Sequence, residues 1–244
     1  MINRNLKAFI AGVFASTLLI LFSSNLTSAQ DDRAAIDTSK IPATAAKLAG
    51  FVPAGWKIEK QINGDVNADG IADSLLKLVE DKPSEDKEGM KIDRARALVI
   101  VLKGADGKLT NAAVADKLLQ CTGCGGAFYG VVDAPADVKI DKGVIVLDQD
   151  HGSREVSGMT FRFRFEAATG KFLLIGFDYQ SNDRLNGNTV SESTNYVTGA
   201  RITTRISGKG KTTKTRTQVS KTKTYIDQID YEKFEEEAST RVDG

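Results

Sequence analysis

Residues 159–166 read Met-Thr-Phe-Arg-Phe-Arg-Phe-Glu, apolar and polar side chains in strict alternation. Successive side chains of a strand point to opposite faces, so Phe161, Phe163 and Phe165 share one face while Arg162 and Arg164 share the other. One face is therefore core and the other is wet. Residues 167–170 supply a turn into 171–179, a second apolar run, and the two segments read as a hairpin. Further strands are predicted over 56–62, 75–79, 95–103, 138–140 and 143–148. Helix signals are few: a short stretch over 43–48, another over 111–119, and residues 231–238 behind Asp230 as a cap. The expected fold is mainly β, an antiparallel sheet or sandwich built from hairpins with minor short helices.

Ahead of these segments, Arg4 and Lys7 precede an apolar stretch over 8–22 and the small residues Thr27, Ser28 and Ala29. That is the layout of a secretory signal peptide, expected over residues 1–29, and the stretch is shorter than the roughly 20 residues of a spanning helix. A secreted or periplasmic protein with no membrane span after cleavage is expected. Removing the segment takes away two basic residues and no acidic one, so the formal charge changes from +1 to about −1. Neither sign dominates, and binding driven by bulk charge, to nucleic acid above all, is not expected. The organisation then reads as a polar lead over 30–50, a single β-rich domain over 51–226 and an acidic end over 227–244. Within the domain, residues 200–220 form a threonine-rich hairpin whose charged residues are all basic. The acidic end is expected to fold back upon it and partly neutralise it.

Residues 65–73 carry oxygen-bearing side chains at positions 1, 3, 5 and 9 and glycine at position 6: Asp65, Asn67, Asp69, Gly70 and Asp73. A hard cation such as Ca2+ takes about six to eight oxygens, and alternate residues of a tightly wound loop can aim theirs inward while glycine permits the sharp turn. An EF-hand would place a bidentate Glu at position 12, where Leu76 stands, and would flank the loop with helices rather than strands. The segment instead resembles the calcium loops of FG-GAP and integrin-alpha-type repeats, whose pattern is Asp-x-Asp/Asn-x-Asp-Gly-x-x-Asp. The resemblance implies that Asp65, Asn67, Asp69 and Asp73 bind Ca2+ through side chains and Ile71 through its carbonyl. The motif occurs once, whereas a propeller of such repeats needs it several times at a fixed period. The plain alternative is an Asp/Asn/Gly turn that binds no ion.

The only two cysteines lie in Cys121-Thr-Gly-Cys124-Gly-Gly. In an oxidising compartment a disulfide between Cys121 and Cys124 is the simplest reading, a local staple of roughly 2 kcal/mol for a glycine-rich turn. A redox dithiol usually opens a helix, which the glycines here would break, and a four-ligand zinc site would have to add a carboxylate to the cysteines and the single histidine, His151. A wider pattern joins these motifs: Phe51-Val-Pro53-x-Gly55-Trp56, the 65–73 loop, Arg96-x-Leu98-Val-Ile100, the Cys121-x-x-Cys124-Gly-Gly run, Phe161-Arg-Phe163, then Asn195-Tyr196-x-Thr198-Gly199. In this order it resembles a family of bacterial secreted proteins of unknown function, over roughly residues 51–200. The resemblance implies compartment and fold, and no activity.

Enzyme signatures are thin. Gly208-Lys-Gly210-Lys211-Thr212 imitates the end of a phosphate-binding loop, but Arg205 stands at the first required glycine and a strand follows in place of a helix. His151 lies in a polar segment read as a solvated strand-end turn, and no Gly-x-Ser-x-Gly elbow exists. Asp148, Asp150, Asp178, Asp183 and Glu192 leave paired-carboxylate chemistry open, since sequence gives no separation between them. The reading that follows is a calcium-binding, non-enzymatic β module for an envelope or extracellular ligand. The alternative is a hydrolase acting on envelope or extracellular polymers through acidic residues.

Overall fold

The alternation at 159–166 is realised in a computed structural model that describes residues 35–130 and 132–243; the expected signal peptide over 1–29 and the start of the lead lie outside the described residues. Phe161 and Phe163 are fully buried in β8 (Glu155–Glu166), and the turn at 167–170 leads into β9 (Lys171–Asp183). Seven antiparallel strands form the larger sheet, in the order β12-β11-β10-β9-β8-β7-β6. The remaining members are β6 (Ala136–Asp141), β7 (Val144–Gly152), β10 (Asn188–Asn195), β11 (Ala200–Ile206) and β12 (Thr212–Gln218).

A smaller sheet has the order β1-β5-β4-β3-β2: β1 (Thr44–Ala45), β2 (Trp56–Gly64), β3 (Asp73–Glu80), β4 (Arg96–Lys103) and β5 (Leu109–Ala115). Its central strands are buried on both faces, which is why β3 and β4 read as near-continuous apolar runs. Leu75 and Ile100 share one face and join Phe161, Phe163 and Phe177 of the larger sheet in one core. Leu76, Leu78, Val99 and Val101 share the other and pack against Ile36, Ile41 and Phe51. The two sheets thus sandwich the main core, as expected for a mainly β chain, and the lead covers the outer face of the smaller sheet.

Two helix expectations fail. Over 43–48 the chain forms β1 and enters a 3-10 turn at Leu48–Phe51; over 111–119 it continues β5 and then turns. Alanine-rich composition favours helix only weakly, and the pairing of β1 with β5 and of β5 with β4 outweighs that preference. The C-terminal helix is present and longer than expected: α1 (Tyr231–Asp243) begins after Asp230, whose carboxylate accepts from the Lys233 amide. Phe234 of α1 packs edge-on against Phe161 and Phe177, on the core face of the larger sheet. Its neighbour Glu235 meets His151, and Arg241 meets the buried Glu192 at 2.8 Å. Contact with the basic hairpin runs through Arg205 of β11, which donates to the Val242 carbonyl. Lys211, Lys214 and Arg216 stay exposed, and no ion pair among the described residues reaches them, so the expected neutralisation does not involve these three side chains. No helix among the described residues is long and apolar enough to cross a membrane.

One charged side chain ties the parts together. Arg96 is buried in β4, where its guanidinium donates twice to Glu59 and also to the carbonyls of Gln120 and Ala134, the latter at 2.8 Å. Lys77 shares the Glu59 carboxylate. Removing one member of a buried pair leaves the other uncompensated, so Arg96→Met is expected to lower unfolding stability by about 3 kcal/mol. The exposed Lys57 to Asp81 pair serves as control, with Lys57→Met changing stability by less than about 1 kcal/mol. Urea denaturation of both variants checks this, and near-equal losses would remove Arg96 from its bridging role.

Candidate functional site

Two regions carry unusual polar chemistry, the 65–73 loop and the outer face of the larger sheet. The loop joins β2 to β3, with Gly64 and Asp73 as its last paired residues. Its chain winds about the Asp65 carboxylate, which accepts from the amides of Asn67, Ala68 and Gly70 at 3.2, 2.7 and 2.9 Å. Those bonds, the Gly70 amide first, hold the Asp65 carboxyl below the usual carboxylate range. The winding requires positive φ at Ala68 (66°) and at Gly70 (82°); Gly70 adopts it without strain, whereas Ala68 is an uncommon residue there. Asn67 accepts from the Asp69 amide, and Asp69 accepts from the Ile71 amide.

Asp73 differs from the rest in being buried. One of its oxygens accepts from Val66 within the loop and the other from Lys103 at the end of β4, so it locks the loop onto the smaller sheet. Burial pushes its carboxyl up, and the nearby charges of Asp69 and Asp65 push in the same direction. Among the described residues, no group of three or more His, Cys, Asp or Glu side chains is gathered in a metal-holding cluster. The donor set of three carboxylates, one amide oxygen and one backbone carbonyl is chemically that of a hard cation, and its oxygens here are engaged by loop amides.

The cysteines form the expected disulfide: Cys121 and Cys124 are bonded, with their Cα atoms 5.1 Å apart. The following glycines have a steric reason. Gly126 has φ 68°, and a Cβ there would lie 2.6 Å from the Gly152 carbonyl oxygen. This close approach lets the Phe128 amide donate to Gly152 and the Gly152 amide donate to Gly125, which pins the cysteine segment to the end of β7. The segment presents Phe128, about half exposed, packed edge-on against Tyr129 and covered on one side by the Arg184 guanidinium. Tyr129 donates to the Asp150 carboxylate; burial first, then this bond, pushes its hydroxyl up to about 12.

Beside Phe128 lies a cleft of about 740 Å³ over β7 to β10, a volume typical of ligand sites. Cross-strand register explains its lining: Asp148, Thr160, Asp178 and Ser193 are successive partners on four strands and point away from the core. Thr160 donates to Asp148, Ser193 donates to Asp178, and Lys139 and Arg162 pair with the same two carboxylates. Of the carboxylates noted in the sequence, Asp148, Asp150 and Asp178 therefore meet in one cleft. Asp183 is held by Arg154, and the Glu192 carboxylate lies on the core side between Arg201 and Arg241. Sequence reasoning missed Phe128, Gln180 and Asn182 as lining residues. The available signal was Gly158, a glycine inside a strand, which often marks close approach of a ligand or another backbone.

His151 is not in a solvated turn. It lies within β7, and its Nε2 is 2.5 Å from Glu235 of α1, while Tyr129 occupies Asp150 next to it. The bond to Glu235 raises the histidine's pKa above 6.5, against partial burial, with the Glu235 and Asp150 charges adding to the rise. A raised folded pKa stabilises the protein fully below the unfolded value and loses that contribution as pH rises through the folded value. The stability difference between the wild type and His151→Gln should therefore be larger at about pH 6 than at about pH 9, measured by urea denaturation. A pH-independent difference would remove the charged pair as a tie between helix and sheet.

Compared with known proteins, the chain matches no protein-family profile, no curated sequence and no solved structure.

Proposed function

We propose that this protein is a secreted or periplasmic, non-enzymatic β module that is stabilised by Ca2+ in the 65–73 loop and binds an envelope or extracellular ligand. The observation that carries the calcium reading is the winding of the chain about Asp65, with Asp69 and the buried Asp73 close enough to repel each other's charge. A divalent cation relieves that repulsion, with Asp65, Asn67, Asp69 and Asp73 as side-chain ligands and Ile71 as the carbonyl ligand. The N-terminal pattern at 1–29 and the Cys121 to Cys124 disulfide both suit an oxidising compartment. The resemblance in motif order described above points to the same placement.

A second reading has one specific observation in its favour: Asp148 and Asp178 line one cleft, two strand spacings or roughly 10 Å apart. That reading is a hydrolase of envelope or extracellular polymers. Against it, each carboxylate already accepts from a hydroxyl and pairs with a cation, an arrangement that fixes acceptors for holding a ligand.

Calcium binding is tested by melting the purified protein with calcium and with chelator. For a site of about 0.1 mM affinity at about 1 mM calcium, linkage gives roughly 1.4 kcal/mol, or a rise of about 3–6 °C in Tm. Asp69→Ala should abolish the increment, and it is the informative change because Asp73 also ties the loop to β4. Equal melting temperatures with and without calcium in the wild type would end the calcium reading.

A further inference from the structure

We propose that the cleft over β7 to β10 binds a neutral polysaccharide chain, an inference that rests on the binding-module reading and specifies its ligand. Three independent features of the cleft define what fits. Its floor is partly free of side chains: Gly158 lies inside β8, three residues from its start, and a Cβ built there would meet only the Asp150 Cβ, at 3.7 Å. A ligand can therefore lie flat against the sheet between the side-chain rows of β7 and β9.

The second feature is Phe128 at the rim. It is 45% exposed, yet it is held by Tyr129 and Arg184, and Tyr129 is itself fixed by Asp150. An exposed ring held in place is a platform rather than a misplaced core residue. The apolar C–H face of a pyranose ring stacks on such a platform while its hydroxyls stay available for hydrogen bonds.

The third feature is the donor and acceptor set. Carboxylates of Asp148 and Asp178 are oriented by Thr160, Ser193, Lys139 and Arg162, and the amides of Gln180 and Asn182 lie alongside. Vicinal hydroxyls both donate and accept, so they match an array of fixed carboxylates and amides. A polyanion does not match. Asp137, Asp148, Asp150 and Asp178 line the cleft, while Lys139 and Arg162 are already committed to two of them, and Arg184 rests over the Phe128 ring. An apolar ligand fares no better, because it would strip water from these carboxylates without replacing their hydrogen bonds.

The test is affinity electrophoresis of the purified protein in gels carrying soluble neutral polysaccharides (dextran, glucomannan and arabinoxylan) or the polyanions alginate and heparin. Retardation is expected with at least one neutral polymer and with neither polyanion. Gly158→Leu, which fills the open floor, and Phe128→Ala, which removes the platform, should each weaken retardation at least about ten-fold in apparent Kd while far-ultraviolet circular dichroism stays unchanged. Retardation that survives both changes would overturn the assignment to this cleft. Salt-sensitive retention on heparin that vanishes when Lys211, Lys214 and Arg216 are changed to Gln would move the binding surface to the basic hairpin. Failure with every neutral polymer, alongside pull-down by the cell's own envelope fraction, would overturn the ligand class and leave the module reading standing. Release of reducing ends that is lost in Asp148→Asn or Asp178→Asn would overturn non-enzymatic binding in favour of hydrolysis.

Discussion

The contact between Arg96 and Glu59 anchors the irregular segment that runs from the smaller sheet to the larger one. A buried guanidinium has five donors to satisfy, and in this protein some go to Glu59 while others reach the carbonyls of Gln120, Cys121 and Ala134, on either side of the disulfide turn. Charge pairing within the smaller sheet thereby fixes the path of the segment that carries Phe128 to the larger one. Gln120 and Gln149 continue the same logic: the Gln120 amide donates to the Gln149 side chain, whose nitrogen donates to Leu118, and the Gln120 side chain donates to Pro135 and Asp150. These bonds pair the buried donors of both glutamines, while the Gln120 side-chain oxygen has no hydrogen-bond partner among the described residues.

How much of this could be read in advance depended on whether a segment's signal is local. Strand β8 was legible because one of its faces is aromatic and the other charged. Strand β10 was not, since after Val190 its inward positions are Glu192 and Thr194, polar residues that Arg201 and Arg241 make tolerable from elsewhere in the chain. Period-two hydrophobicity never develops in such a strand. The misread helix over 111–119 has the opposite cause: small alanines there fit closely beside β4, and composition alone favours helix. The loop at 65–73 and the cysteine turn could be recognised because their residues are contiguous. The cleft could not, because Asp148, Thr160, Asp178 and Ser193 become neighbours only once strand order and register are set. Likewise the contact of His151 with Glu235 spans 84 residues and depends on where α1 lands.

Both irregular segments are placed where an ordered turn matters most to the sheets. Asp73 belongs to the 65–73 loop and also closes the far end of β4 through Lys103, so order in the loop is transmitted directly to a central strand. The disulfide turn does the same for the end of β7 through Gly152. Each staple is short in sequence and acts on a long element, which suits a chain with few helices to brace its sheet edges.

Strand β12 ends the larger sheet, and all seven of its residues are exposed. Such an edge offers unpaired amides and carbonyls to any extended chain, including a second copy of itself. Lys214 and Arg216 lie on this strand and Lys211 precedes it, alternating with threonines that favour the extended form. Two copies brought edge to edge would set these cations against one another, since no ion pair among the described residues reaches them. Like charge along the basic hairpin therefore opposes edge-to-edge growth of the sheet, a property the strand carries in its own sequence rather than in any covering element.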